Sequence, residues 1–265
     1  MKKQKILITG SGTGLGKEAA LALAKRGHRI LATTKNENEA IQLNELAKNK
    51  TLDLIACKLD ILNKEDRNKI LTYDFNVLVN NAAIGDSGSV SEINIDRIKK
   101  VFETNVFANI ELTQIALKKF IKQKHGKIIF LSSLFGRINF PFLSPYCASK
   151  FAIESFASSL RQEMKTLDGT NIQVGIIEPG AYATGFNQKN IEKKYEWMKN
   201  NSYFKYKWKD IKLKEEKVFE FLEKKSFNTI VKQYIRAIED KKLKHRYTAP
   251  KFQALFIQLG RIFGM

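Results

Sequence analysis

The chain has 265 residues, 43% hydrophobic and 28% charged, which suits a globular protein long enough for one large core. No apolar run approaches the roughly 18 residues of a membrane-spanning helix. Cys57 and Cys147 are too few for a disulfide framework, and His28, His125 and His245 have no metal-ligand spacing. The formal charge is +19, and residues 186–265 supply 11 of that excess with 20 Lys/Arg against 9 Asp/Glu. These cations are mixed with acids as on solvated helix faces. No helix-turn-helix, zinc or RNA-recognition signature accompanies them, so nucleic acid is not expected as a partner. The basic start runs directly into Ile6-Leu7-Ile8, too short for a signal-peptide core, and a cytoplasmic location is expected.

Residues 5–9 read as a short buried strand. Thr9-Gly10-Ser11-Gly12-Thr13-Gly14-Leu15-Gly16 follows, and 17–25 has helical spacing. Strand, glycine-rich turn and helix start together make an anion site, because glycine lets the backbone approach a pyrophosphate and free helix amides point at it. A P-loop would need Gly at 11 and Ser or Thr after Lys17. Ser11 and Glu18 stand there, which disfavours a nucleoside triphosphatase, and Leu15 breaks the common Gly-x-Gly-x-x-Gly spacing.

The second strand, 29–34, ends Thr33-Thr34-Lys35 with no acid for a ribose 2′-hydroxyl. A lysine there suits a 2′-phosphate, so NADP is expected over NAD. Residues 37–49 read as helix, 54–59 as a strand ending at Asp60, 64–71 as a short helix, and 75–79 as a strand leading to Asn80-Asn81-Ala82-Ala83. The stretch 96–119 reads as two helices in series and contains Asn105. Strand 127–131 ends at Ser132-Ser133, and strand 172–177 ends at Glu178-Pro179-Gly180. Strands that alternate with helices argue for one domain, a parallel sheet of about seven strands covered by helices on both faces.

Residues 181–225 break the alternation, mixing lysine with Phe186, Tyr195, Trp197, Tyr203, Phe204, Tyr206 and Trp208. They follow a strand's carboxyl end, where such sheets bind ligands, and are expected to form a substrate lid. Within the C-terminal helices, 226–265, residues 228–239 read as the last core helix. The apolar set of 251–263 is expected to pack on the body or a partner subunit rather than lie on a membrane.

The chemistry centres on Tyr146-Cys147-Ala148-Ser149-Lys150. Ser144 fits an N-cap and Pro145 a first helical position, and the helix runs to about Leu167, stopped by Asp168-Gly169. Tyr146 and Lys150 lie about one turn apart and project from one face. A phenol titrates near pH 10, and a nearby ammonium lowers that value, so on spacing alone the pair reads either as a proton-transfer device or as two surface residues of an amphipathic helix. Cys147 points about 100° away with no histidine beside it and is expected to be packing.

Taken together, these motifs resemble the short-chain dehydrogenase/reductase family over roughly residues 5–185. Thr9-Gly10-x-x-x-Gly14-x-Gly16 resembles its cofactor turn and Asp60 its adenine-contacting acid. Asn80-Asn81-Ala82 resembles its Asn-Asn-Ala-Gly stretch, with Ala83 in place of glycine. Asn105, Ser133, Tyr146 and Lys150 match its catalytic tetrad, and Pro179, Gly180 and Thr184 its nicotinamide-binding segment. The resemblance implies an α/β Rossmann-like doubly wound domain and hydride transfer between NADP(H) and a carbonyl compound or secondary alcohol. Tyr146 would be the acid-base and Lys150 would lower its pKa and bind the ribose. Ser133 would hold the substrate oxygen, and Asn105 a water. Cofactor contacts are expected from Gly10, Ser11, Thr13, Gly14, Leu15, Gly16, Lys35, Asp60, Ile61, Asn81, Ala82, Ala83, Tyr146, Lys150, Pro179, Gly180 and Thr184, with no metal. An apolar substrate and a homodimer or homotetramer are expected, and the alternative is a dinucleotide sensor without turnover.

Overall fold

The computed structural model describes residues 3–263. Its elements alternate as β1 Lys5–Ile8, α1 Gly14–Lys25, β2 Arg29–Thr34, α2 Glu37–Asn49, β3 Leu54–Lys58, α3 Lys64–Lys69 and β4 Val77–Asn80. They continue with α4 Ile95–Phe102, α5 Ala108–Lys122, β5 His125–Leu131, α6 Ser144–Thr166, β6 Asn171–Pro179, α7 Phe186–Asn201, α8 Trp208–Leu222, α9 Asn228–Glu239, β7 Arg246–Ala249 and α10 Lys251–Ile262. All seven strands are parallel, in the order β3-β2-β1-β4-β5-β6-β7. The chain leaves β1 for β2 on one side and returns to β4 on the other. A crevice therefore opens at the carboxyl ends of β1 and β4, the position where such sheets take ligands.

The alternation of side chains along each strand builds two cores. Ile6, Ile8, Val77, Val79 and Ile129 face helices α1, α2 and α9. Leu7, Leu78, Ile128 and Phe130 face α5 and α6 on the other side. Being covered on both faces explains why these strands read as unbroken apolar runs. The sequence names six of the seven strands. The seventh, Arg-Tyr-Thr-Ala, is four residues long, and only Tyr247 and Ala249 turn into the core. Its Arg246 meets two buried acids, Nε at 3.2 Å from Glu178 and Nη2 at 3.0 Å from Glu154.

The two helices expected in series over 96–119 are α4 and α5, joined by one π turn, Glu103–Phe107, which contains Asn105. At α6 the boundary moves by one residue. Leu143 is the N-cap, so Ser144 is already helical and makes no cap, while Pro145 still sits in the first turn. Gly169, at φ +71°, follows the helix as expected. Residues 181–225 form two helices with a small core of their own against α6, made of Leu143, Cys147, Ile191, Tyr195, Met198 and Phe219. Lys194, fully buried, crosses from α7 to the Glu215 carboxylate of α8 at 2.5 Å.

At α10 the first of the two expected packings, on the body, is not found. Its apolar set, Phe252, Leu255, Phe256, Leu259, Ile262 and Phe263, does not pack on the body. It is exposed, while Gln253, Ile257 and Gly260 face inward.

Phe120 ties α5 to the sheet. It is fully buried, lies 5.5 Å edge-on from Phe75, and fills the space above Gly126. Phe120→Ala is expected to lower unfolding free energy by about 3–5 kcal/mol, read by chemical denaturation. A loss under about 1 kcal/mol would mean the site collapses onto the cavity.

Candidate active site

The cleft at the carboxyl ends of β1 and β4 has a volume of about 380 Å³. Its floor is set by Thr9. The Thr9 hydroxyl oxygen accepts the Asn81 and Ala82 backbone N–H groups, each at 3.0 Å. Asn81 Nδ2 donates to the Thr9 and Gly10 carbonyls at 2.7 and 3.0 Å, and its Oδ1 accepts from the buried Tyr234 hydroxyl at 2.8 Å. These bonds draw Gly10 so close to Ala82 that a Cβ at residue 10 would stand 2.8 Å from the Ala82 Cα, and the φ of +65° suits glycine alone. Ala83, where the family pattern has glycine, has no positive φ, so alanine is unstrained there.

The turn delivers α1 with a bare N-terminus. Thr13 makes no side-chain cap, and the first turn carries no acid. Uncapped amides beside a glycine backbone fit a pyrophosphate, which is the test this chain passes for a dinucleotide. Gly10, Thr13, Gly14, Leu15 and Gly16 line the cleft, as do Lys35, Asp60, Ile61, Asn81, Ala82 and Ala83. Pro179, Gly180 and Thr184 close the far wall. Ser11 does not belong to this set. It is fully buried and its hydroxyl donates to the Ile8 carbonyl at 3.0 Å, so its side chain serves the turn.

Of the expected tetrad, Ser133, Tyr146 and Lys150 reach the cleft. The Ser133 hydroxyl accepts from Phe135 N at 3.1 Å, donates to the Pro179 carbonyl at 3.4 Å and stands close enough to the Tyr146 phenol to favour its ionised form. Asn105 lies behind the wall. It accepts from Ile84 N at 2.8 Å and donates to the Ile84 carbonyl and the Ser149 hydroxyl at 2.9 and 3.1 Å. Its own carbonyl, freed by the π turn, accepts from Asn109 Nδ2 at 2.9 Å.

Tyr146 and Lys150 do share a helix face, with Nζ 5.6 Å from the ring centroid. The ammonium, though, donates to the Leu131 carbonyl at 2.8 Å. Burial pushes Lys150 down to about 8, against the pull of Glu154. Burial also pushes the Tyr146 phenol well above its ordinary value, and the Ser133 hydroxyl offsets part of this. The lysine thus does not lower the phenol in this arrangement. Cys147 is buried, its thiol raised to about 11, and it packs as expected.

Phe186, expected only as a lid aromatic, Lys189 and Glu39 are among the cleft residues that the expected contact set leaves out. The Phe186 ring lies 5.6 Å from that of Tyr146 and is the one lid aromatic of those named that lines the cleft. Tyr195, Trp197, Phe204 and Trp208 pack within the lid, and Tyr203 and Tyr206 are exposed. Lys189, at the start of α7, adds a cation. Glu39 lies across Gly12, where an added Cβ would meet its carboxylate at 2.2 Å. In the sequence Glu39 reads as the fourth residue of a capping box opened by Asn36, which does accept from Glu39 N at 3.0 Å. That local role conceals a side chain that points into the cleft beside Lys35.

Comparison with known proteins agrees with this geometry. The family model for short chain dehydrogenase matches residues 4–195. The uncharacterized oxidoreductase YusZ of Bacillus subtilis is 34% identical over 192 residues, 69% of this chain and 67% of that one. The 3-ketodihydrosphingosine reductase of Bacteroides thetaiotaomicron is 30% identical over 195 residues, 72% and 69% of the two chains. A crystal structure of a short chain dehydrogenase/reductase from Burkholderia phymatum in complex with NAD superposes with a TM-score of 0.82, covering 98% of this chain and 93% of that one at 17% identity, a likeness of fold. The chain belongs to the short-chain dehydrogenase/reductase family and is a nicotinamide-dependent oxidoreductase of that family.

Proposed function

We propose that the enzyme transfers a hydride between NADP(H) and an apolar carbonyl compound or its secondary alcohol, with Tyr146 as general acid in reduction and general base in oxidation. One observation carries the reading. The Tyr146 phenol stands in the cleft beside the Ser133 hydroxyl, with Lys150 buried one turn along the same helix. The nicotinamide, when bound, supplies or accepts the hydride. The chain positions the reactants and moves the proton. The α1 amides and the turn from Gly10 to Gly16 take the pyrophosphate. Asp60 and Ile61 take the adenine, and Asn81, Ala82, Ala83, Pro179, Gly180 and Thr184 take the nicotinamide end. Ser133 donates to the substrate oxygen as charge develops on it. Lys150 would hold the ribose and lower the phenol, and Asn105 at the π turn would anchor the water that reloads it.

Residues 181–225 act as the lid. Beyond Tyr146 lies a pocket of about 20 Å³ lined by Phe135, Leu143, Phe186, Ile191 and Phe219 and also by Asp86, Asn187, Asn190 and Glu215. That is room for about one water, so α7 shifts to admit a substrate, and the apolar part of the lining favours an apolar one. The name of the Bacteroides relative points the same way. A homo-oligomer paired through α5 and α6 would cover Phe107, Phe151 and Phe156, which are exposed. The light-scattering mass specified in the next subsection reads it, and the mass of a single chain counts against it.

The cofactor has a second reading with its own observation. Lys35 supports NADP, while the Glu39 carboxylate across Gly12 favours the 2′-hydroxyl of NAD. Lys35→Ala is expected to weaken NADPH binding about ten- to a hundredfold, the worth of one charge-assisted contact, and to spare NADH. Glu39→Gln should strengthen NADPH. If NAD is the cofactor, Glu39→Gln weakens NADH and Lys35→Ala leaves NADPH unchanged.

Tyr146→Phe should cut kcat by about a hundredfold or more while cofactor affinity stays close to wild type. A mutant that keeps most of its kcat removes Tyr146 from the chemistry. The pH profile follows from Lys150. With its value lowered to about 8, the ammonium is present below that pH and lost above it. For carbonyl reduction, kcat/KM for the cofactor, the constant that reports the free enzyme, should fall as pH rises through about 8. Lys150→Arg, charged throughout, should lose that limb, and a limb that persists in it belongs to another group.

A further inference from the structure

The outward face of α10 is more apolar than the face it packs with. Phe252, Leu255, Phe256, Leu259, Ile262 and Phe263 recur at helical spacing within an arc of about 120°, each between 46% and 78% exposed. Gln253 fixes the inner face. Its Oε1 accepts from Ala181 N at 3.0 Å and its Nε2 donates to the Leu222 carbonyl at 2.7 Å. Arg137 donates to Gln258 from the body. The helix is thus held in place by polar bonds with its apolar stripe outward. Phe221, beside the Leu222 carbonyl, is 82% exposed as well.

The helix itself is basic. Among its residues α10 carries Lys251 and Arg261 and no Asp or Glu. Lys224 and Lys225 follow the strand-like contact of the α8–α9 loop and are exposed. The acid there, Glu223, is taken up by Asn187 and Gln188. An apolar helix face flanked by cations has the two signals that hold a protein on an anionic bilayer, one from apolar burial and one from charge. A second copy would satisfy the apolar face only by bringing two such basic segments together, in a protein already at +19.

We propose that α10 docks the enzyme on a bilayer surface carrying anionic lipid. Gln253 holds Ala181, and Ala181 lines the cleft. The docked face is therefore about one helix diameter, roughly 10 Å, from the cleft wall. The proposal stands apart from the substrate reading above.

The test uses the full chain and co-sedimentation with phosphatidylcholine vesicles containing about 30 mol% phosphatidylglycerol, against phosphatidylcholine alone. The expected result is at least about tenfold tighter binding to the anionic vesicles, weakened in about 0.5 M salt. Phe256→Glu/Leu259→Glu, both on exposed positions, should lose at least about tenfold in vesicle binding with turnover of a soluble carbonyl compound and Tm unchanged. Ile41→Glu, an exposed apolar position on α2, should bind as wild type does. Absence of binding at about 1 mM lipid, or equal binding by the double variant, overturns the proposal. So does a light-scattering mass that falls from a multiple of 30.3 kDa to a smaller one in the double variant without vesicle binding, which would assign the face to a second copy.

Discussion

The Thr9 hydroxyl accepts two backbone N–H groups from the far side of the crevice, and the site depends on that junction. Thr9 follows β1, and Asn81 and Ala82 follow β4, so one side chain pins together the chain at the two strand ends between which the cleft opens. Asn81 returns the constraint by donating to the Thr9 and Gly10 carbonyls, and Tyr234 of α9 satisfies its remaining oxygen. Every polar atom in this network is buried or nearly so, and an unmade bond there would cost about 1–3 kcal/mol. The backbone of the glycine turn is thereby held at the start of α1, whose N-terminus carries no side-chain cap.

The same economy governs the proton-transfer end. Lys150 is 2% exposed, and its charge survives burial because the Leu131 carbonyl accepts from it. Behind it Glu154 and the fully buried Glu178 share Arg246, a residue of the last strand, with Glu178 raised to about 7 by burial and by Glu154. The lysine is thus bonded to a backbone carbonyl, and burial raises the neighbouring phenol. The π turn at Asn105 and the Ser149 hydroxyl brace the wall behind both.

The fold was legible in the sequence because its strands are buried on both faces, so 5–9, 75–79 and 127–131 stand out as apolar runs bounded by polar ends. Most of the cleft was legible because backbone-approach positions demand glycine, and Gly10 shows why. What escaped was decided by tertiary packing. β7 is too short to carry a period. Ser11 could have faced either way, and the Ile8 carbonyl took it. Glu39 obeys a local capping pattern while its carboxylate crosses to Gly12. The Tyr-x-x-x-Lys spacing fixes a shared face but not where a long lysine ends, and here it ends at Leu131. The spacing of α10 identified an amphipathic helix, yet amphipathicity carries no information about which way the apolar side turns.

The proposal at the centre is that Tyr146 is the acid-base group and that Lys150 lowers its phenol when the cofactor is bound. Ultraviolet titration of tyrosinate absorbance, with and without bound nicotinamide cofactor, in wild type and Tyr146→Phe, tests it most directly. Tyr182, Tyr195, Tyr234 and Tyr247, and the partly buried Tyr73, are all raised by burial and leave the neutral range clear. The account predicts one tyrosine ionising well below its ordinary value of about 10 in the complex, absent from the free enzyme and from Tyr146→Phe. A complex in which no tyrosine ionises below that value, or a free enzyme in which one already does, would contradict it.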